Sequence, residues 1–197
     1  MLYAFACKLL RFLFYCLGLK TEGVQNLPAT GPVIIAANHV SNWDPIVVGI
    51  SFRRPIHFMA KNELFVNPFL GKLLTKLNAF PIKRGTADRG AIRKALQILE
   101  EGEILGIFPE GERKRDGKDT TVHAGIAMLA LKSGAPILPV ACIGSGRNLP
   151  LGWFNPLIVR VGEPIILSEY QDQKVNSANM EKISIKIMCE INTLLSK

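Results

Sequence analysis

Short apolar segments alternate with amphipathic segments along most of this 197-residue chain, and this alternation restricts the fold more than any other feature. The apolar segments show little polar alternation, which is typical of strands buried on both faces of a sheet. Helices must then cover both faces. The sequence therefore predicts an α/β fold: a single domain with a central, mostly parallel or mixed sheet flanked by helices.

Turn and capping signals place the predicted elements. The predicted strands are residues 33–37, 56–60, 80–83, 103–108, 136–143 and 156–162. Helices are predicted from Pro45, from Asn67-Pro68, over 87–102, over about 123–133 and over roughly 176–196, with Gly102 and Gly134 closing two of them. No repeat or linker interrupts residues 21–197, which we interpret as one domain.

Residues 1–20 form a distinct apolar segment. Lys8 and Arg11 are three positions apart and share one stripe of a helix, while leucine and phenylalanine cover most of the remainder, and Gly18 is placed to end it. Such a helix could pack on the core of the domain. We predict instead that it lies in a membrane interface with its cations toward the headgroups. No apolar run reaches the ~18 residues of a transmembrane helix.

The net charge of +8 is concentrated in one block. Residues 53–94 hold ten basic and two acidic side chains, so this block carries a charge of +8. It indicates an anionic partner such as phosphate, an anionic membrane surface or nucleic acid, or else a solvated helix face. The block lacks the interleaved aromatic residues of a nucleic-acid stacking platform. We therefore predict no nucleic-acid partner.

The cysteines do not form a recognisable metal or disulfide pattern. Cys7, Cys16, Cys142 and Cys189 are scattered, without a C-x-x-C spacing or a nearby pair of histidines. We predict reduced thiols, no metal site and no cofactor.

The stretch AANHVSNWDP places His39 five positions before Asp44. Fully extended, the intervening residues would separate the two by up to ~17 Å, so contact requires the turn to fold back. In contact, the imidazole could take a proton from an attacking alcohol while the carboxylate orients it. Alternatively, Asp44 caps the helix beginning at Pro45 and His39 is an ordinary loop residue.

Four ordered stretches resemble the motifs of the glycerolipid acyltransferase family, most closely its bacterial 1-acyl-glycerol-3-phosphate acyltransferases. They are the spaced pair His39 and Asp44 preceded by Asn38, then NAFPIKRG (78–85), FPEGER (108–113) and ILPVA (137–141). The resemblance covers about residues 20–165. It implies direct acyl transfer from a thioester to an acceptor hydroxyl, without an acyl-enzyme.

The resemblance also implies residue roles. His39 and Asp44 would be catalytic, as general base and orienting carboxylate. The substrate-binding residues would be Lys83, Arg84, Glu110, Gly111 and Arg113, with the arginines suited to holding phosphate in two hydrogen bonds. The stretch around Pro139-Val140 would be structural or bind the acyl chain.

The chain departs from the family pattern at three positions. Asn78 stands where many relatives have glycine, although asparagine also tolerates a left-handed backbone. Lys114 replaces a small hydroxyl residue, and His123 stands where many relatives have lysine.

Together these features predict an O-acyltransferase of phospholipid biosynthesis that converts lysophosphatidate to phosphatidate. An acceptor such as glycerol 3-phosphate, another lysophospholipid or an amino-lipid is the alternative. The expected partners are an acyl-carrier-protein or coenzyme A thioester, the lysophospholipid and an anionic membrane surface. The expected location is the cytoplasmic face of the cell membrane, as a peripheral or monotopic protein.

Overall fold

The computed structural model describes residues 2–83, 88–110, 125–146, 155–170 and 176–197, and within these ranges the chain forms one seven-stranded sheet and six α-helices. The strands are β1 (Leu19–Glu22), β2 (Val33–Ala37), β3 (Ile56–Lys61), β4 (Ala79–Ile82), β5 (Ile104–Ile107), β6 (Ile137–Ile143) and β7 (Leu157–Val161). The helices are α1 (Leu2–Cys16), α2 (Asp44–Ser51), α3 (Pro68–Lys76), α4 (Arg89–Glu100), α5 (Gly125–Ser133) and α6 (Ser177–Ser196).

The sheet is mixed, in the order β1-β7-β6-β2-β5-β3-β4. The five strands from β6 to β4 are parallel, β7 is antiparallel to β6, and β1 is parallel to β7. All five residues of β2 are buried, which explains why this segment shows no polar alternation. The predicted α/β class with a central mixed sheet is confirmed.

Two helical layers cover the sheet. On one face, Phe14 of α1 and Val48 of α2 pack in the same cluster as Ile35 of β2. On the other face, Ile98 of α4 packs in the same cluster as Ile34, together with residues of α5 and α6. Ile34 and Ile35 therefore point to opposite layers, as successive residues of a strand must.

The local signals for helix and turn positions are confirmed. Asn67 caps α3, because its Oδ1 accepts hydrogen bonds from the amides of residues 69 and 70 at 3.0 and 3.1 Å. Gly102 and Gly134 follow α4 and α5 with φ of 76° and 66°. Asn78 also adopts a left-handed conformation, with φ of 62°, as its substitution for glycine predicted.

Strand β1 was not predicted. Its sequence, LKTE, is short and has three polar residues out of four, so it has no hydrophobic pattern of its own. It forms because Leu19 is buried and the strand pairs in parallel with β7 at the edge of the sheet. Leu19 and Lys20 therefore belong to the sheet although they lie within the segment 1–20.

Helix α1 packs on α2 and orients its two cations differently. Gly18 follows the helix with φ of 87°, as predicted. Arg11 does not face outward with Lys8: its Nε donates to the Ile50 carbonyl at 2.6 Å, and its guanidinium also donates to the Phe52 carbonyl. The expectation that Arg11 points toward headgroups is wrong, because these carbonyls at the C-terminus of α2 lack helical partners and attract a cation.

None of the helices within the described ranges is both long and apolar enough to span a membrane.

Candidate active site

Directly after β2, the side chain of Asn38 continues the hydrogen bonding between β2 and β6. The Nδ2 of buried Asn38 donates to the Cys142 carbonyl at 3.0 Å, and the Cys142 amide donates back to Asn38 Oδ1 at 2.7 Å. This pair of bonds replaces one step of the β2–β6 ladder with a side-chain amide. Asn38 therefore fixes the point at which the following turn begins.

The turn folds back so that His39 and Asp44 meet. His39 Nδ1 lies 2.9 Å from Asp44 Oδ2. The backbone amides of Val40 and Ser41 each donate to the same oxygen at 2.7 Å. The turn is thus wrapped around the carboxylate, and the predicted contact between His39 and Asp44 is present.

Asp44 does not cap the following helix. It is the first residue of α2, after Trp43 at the N-cap, and its hydrogen bonds run backward to residues 39–41. The expectation of a capping Asp44 is wrong, because α2 begins at Asp44 itself and both carboxylate oxygens accept hydrogen bonds from donors outside the helix. Its negative charge still lies in the first turn of α2, where the helix dipole favours it.

Ser145 holds the other oxygen of the carboxylate. Its hydroxyl donates to Asp44 Oδ1 at 2.5 Å, and both residues are fully buried. Ser145 is brought there by Gly144, whose φ is 80° and where a Cβ would lie 1.9 Å from the Pro156 carbonyl oxygen. Four donors therefore converge on Asp44, as a buried charge requires.

The Cys142 thiol lies close to this site but is poorly suited to act as a nucleophile. Burial, and secondarily the charge of Asp44, raise the pKa of the Cys142 thiol well above its ordinary value. The thiolate is the reactive form of cysteine, so this side chain stays protonated and inert.

An aromatic wall orients the imidazole. The His39 ring stacks on Phe108, with centroids 4.2 Å apart and planes at 23°. Phe108 stacks in turn on Phe58, with centroids 5.9 Å apart. With Nδ1 bonded to Asp44, Nε2 is the ring nitrogen that can accept a proton from a substrate. The arrangement can therefore serve as a general base at the carboxyl edge of the parallel strands.

The predicted binding residues lie only partly within the described ranges. Lys83 is exposed just after β4, and its amide donates to Asp88 Oδ2 at 2.9 Å. β4 is three strands from β2, so this edge position is about 14 Å from the turn at residues 38–44. Glu110 follows β5, the neighbour of β2, and is partly buried. Arg84, Gly111 and Arg113 lie outside the described residues, as do Lys114 and His123.

Two residues of this site carried no predicted role. Asn38 belongs to the first motif, where the resemblance implies no role for it, and no motif includes Ser145. Adjacent parallel strands end at the same edge, so the positions just after β2 and β6 lie side by side there, which is the signal that identifies both residues.

The fold places the paired His39 and Asp44 at the carboxyl edge of an α/β sheet, in an arrangement that can serve as a general base. Residues 18–143 match the family model described as Acyltransferase. The chain belongs to this acyltransferase family, and the predicted family is confirmed.

Two named relatives are similar over most of this chain. The 1-acyl-sn-glycerol-3-phosphate acyltransferase of Bacillus subtilis is 35% identical over 155 residues, covering 78% of this chain and 76% of that protein. The enzyme of the same name from Borreliella burgdorferi is 30% identical over 175 residues, covering 84% of this chain and 70% of that protein.

A solved structure also resembles this fold. The crystal structure of the 1-acyl-sn-glycerophosphate acyltransferase of Thermotoga maritima superimposes with a TM-score of 0.67 at 27% identity, over 90% of this chain and 72% of that one.

Proposed function

We propose that this chain transfers a fatty acyl group from a thioester to the free hydroxyl of 1-acyl-glycerol-3-phosphate, forming phosphatidate. The single observation that carries the mechanism is the contact between His39 and Asp44 in a fully hydrogen-bonded turn. The names of the relatives from Bacillus subtilis and Borreliella burgdorferi support lysophosphatidate as the acceptor.

One group, the His39 imidazole, carries out the proton transfers. His39 Nε2 takes the proton of the acceptor hydroxyl as its oxygen attacks the thioester carbonyl. A C–O bond forms, the C–S bond breaks, and the imidazolium returns the proton to the departing thiolate. Asp44 keeps Nδ1 protonated and stabilises the imidazolium. The inert Cys142 thiol favours direct transfer without a cysteine acyl-enzyme.

The acceptor phosphate is held by the basic residues of the second and third motifs. Lys83, Arg84 and Arg113 supply positive charge, and the arginines present two parallel donors to phosphate. Glu110 and Gly111 complete the binding site for the acceptor, because glycine permits the backbone to approach the substrate closely. The acyl donor is an acyl-carrier-protein or coenzyme A thioester, and the chemistry requires no further cofactor.

The protein works at the cytoplasmic face of the cell membrane as a peripheral or monotopic enzyme. Helix α1 exposes apolar side chains at positions spaced along one helical face, namely Phe5, Leu9, Phe12 and Leu13. Buried in the interface, this face would hold the domain against its lipid substrate.

The test is acyl transfer by the purified protein in anionic micelles. Lysophosphatidate, glycerol 3-phosphate and lysophosphatidylethanolamine are each offered with an acyl-carrier-protein or a coenzyme A thioester. We expect product from lysophosphatidate and none from the His39→Ala variant. Preference for another acceptor would replace the proposed substrate and keep the chemistry. Absence of product from folded protein with every pair would refute the proposed function.

A further inference from the structure

A second apolar surface lies far along the chain from α1. Around helix α3, the side chains of Leu64, Val66, Phe69, Leu70 and Leu73 are all exposed. Val66 is 76% exposed and Phe69 is 86% exposed. Exposed large apolar residues clustered within ten positions mark an interaction surface rather than ordinary surface composition. We call these five residues the α3 patch.

The patch is exposed because α3 packs on the rest of the domain through its backbone at Gly71. Gly71 is the buried residue of α3, and a Cβ at this position would lie 3.1 Å from the Phe65 carbonyl oxygen. The helix therefore lies against the preceding 3₁₀ helix, Asn62–Phe65. This close packing needs no large side chain from α3, and Phe69, Leu70 and Leu73 are exposed while Leu74 is partly buried.

The charge around the patch is positive. Lys61, Lys72 and Lys76 are exposed, and Glu63 is the acidic residue of the same segment. Apolar side chains beside lysines match an anionic lipid surface, where the former enter the acyl boundary and the latter meet headgroups. An acidic protein would complement the lysines but would leave several large apolar side chains without a comparable environment.

The α3 patch lies in the same layer as α1. The steps from β2 to β3 and from β3 to β4 go in the same direction along the sheet, so right-handed crossovers place α2 and α3 on one face. Helix α1 packs on α2 in that layer. The apolar face of α1 and the α3 patch therefore flank α2 on one side of the molecule.

The patch also begins at the catalytic edge. The 3₁₀ helix before α3 follows the carboxyl end of β3, and the catalytic turn follows the carboxyl end of β2. Val40, next to His39 in that turn, is itself an exposed apolar residue. Apolar side chains thus lie beside the imidazole, along α1 and on the α3 patch.

We propose that the α3 patch is a second membrane-contact element, which binds an anionic bilayer surface together with α1. It rests on the proposed function, and it adds the orientation of the enzyme: contact at the α3 patch prevents rotation about α1 and holds the catalytic edge, where the patch begins, near the lipid. A lysophospholipid could then reach His39 with its headgroup while its acyl chain stays in the bilayer.

The experiment measures cosedimentation of the full chain with two kinds of vesicle, phosphatidylglycerol mixed with phosphatidylcholine, and phosphatidylcholine alone. The test variant is Val66→Ser/Phe69→Ser. The matched control is Ile166→Ser/Ile185→Ser, which removes two apolar side chains of similar exposure, the second of them on α6 in the opposite layer. We expect the test variant to lose about tenfold or more in binding to anionic vesicles and the control to bind like the wild type.

A charge variant tests the lysines separately. Lys72→Gln/Lys76→Gln should weaken binding to the anionic vesicles and leave binding to phosphatidylcholine unchanged. Thermal unfolding checks that each variant is folded, and transfer to acceptor in detergent micelles checks that the catalytic turn is intact.

Several results would overturn the inference. They are wild-type protein that binds neither vesicle, a Val66→Ser/Phe69→Ser variant that binds like the wild type, and equal weakening in the control variant. A wild-type dimer in light scattering that becomes monomeric in the test variant would assign the patch to a second copy of the chain instead. A failed proposed function gives a different result, namely no transfer by wild-type protein in micelles whatever the vesicle binding.

Discussion

The catalytic turn (residues 38–44) and the α3 segment (residues 62–76) leave the sheet at the same edge but are held in different ways. In the turn, Asn38, Ser41 and Asp44 are buried. The Ser41 amide donates to Asp44, and the Asn38 side chain is hydrogen-bonded to β6. The α3 segment buries Gly71 and presents Phe69 and its neighbours outward. One region is fixed by polar contacts inside the protein, and the other keeps its apolar side chains for an external surface.

This difference separates two requirements of an enzyme that acts on lipids. Proton transfer needs a base held within a few tenths of an ångström, which a satisfied polar network supplies. Delivery of a lipid needs apolar surface that folding has left uncovered. Variants in the catalytic turn should therefore reduce transfer however the substrate is presented, whereas variants in the α3 patch should reduce it only on vesicles.

The largest effect is expected for His39→Ala. Loss of the general base should lower kcat by about 10²–10⁴-fold, and the same factor should be found in micelles and on vesicles. The measurement is the initial rate with saturating lysophosphatidate in both presentations. His57→Gln, which removes a histidine of β3 outside the turn, is the control and should retain activity. A His39→Ala loss confined to vesicles would contradict the division between the two regions.

Asp44→Asn should reduce kcat on the order of 10²-fold while leaving the turn folded. An asparagine can accept from the amides of residues 40 and 41 through its oxygen and donate to Ser145 through its nitrogen, so the geometry is preserved. The charge that stabilises the imidazolium is lost. Rates and thermal unfolding are measured together. An active variant would show that contact with His39 matters only for structure.

The features visible in the sequence were those with local causes. The strand at 33–37 is a buried apolar run, and the cap at Asn67 acts within three residues. The spacing of His39 and Asp44 indicated a pair because one turn could close it. Each of these depends on neighbours in the chain, so composition and spacing are sufficient.

The remaining features depend on contacts that spacing along the chain does not specify. Ser145 is 101 positions from Asp44, and Gly-Ser is an ordinary turn sequence. Arg11 shares a helical stripe with Lys8, yet its guanidinium reaches carbonyls at the end of α2. The exposure of Phe69 follows from which face of α3 Gly71 attaches to the domain, which amphipathic spacing does not specify.

A smaller effect is expected for Ser145→Ala, next to the catalytic turn. The variant leaves Asp44 Oδ1 buried without its hydroxyl donor, and the free energy of unfolding should fall by about 1–3 kcal/mol. Reorientation of the pair should lower kcat by up to roughly 10²-fold with KM unchanged. Ser133→Ala is the control: it removes a hydroxyl that donates to the Leu129 carbonyl in α5, and it should alter stability alone. Equal kcat in both variants would limit Ser145 to a structural role.

The smallest effect concerns His57 of β3, the strand that carries Phe58 of the aromatic wall and leads into the α3 segment. Burial, opposed by Glu103, lowers the pKa of His57 below its ordinary value of about 6.5. The unfolded chain then binds a proton before the folded one, so stability falls as pH drops through about 6.5 and levels off below the lowered pKa. Urea unfolding at about pH 7.5 and about pH 5.5 should show a larger loss in wild type than in His57→Gln. Equal losses would mean that protonation of His57 does not destabilise the sheet.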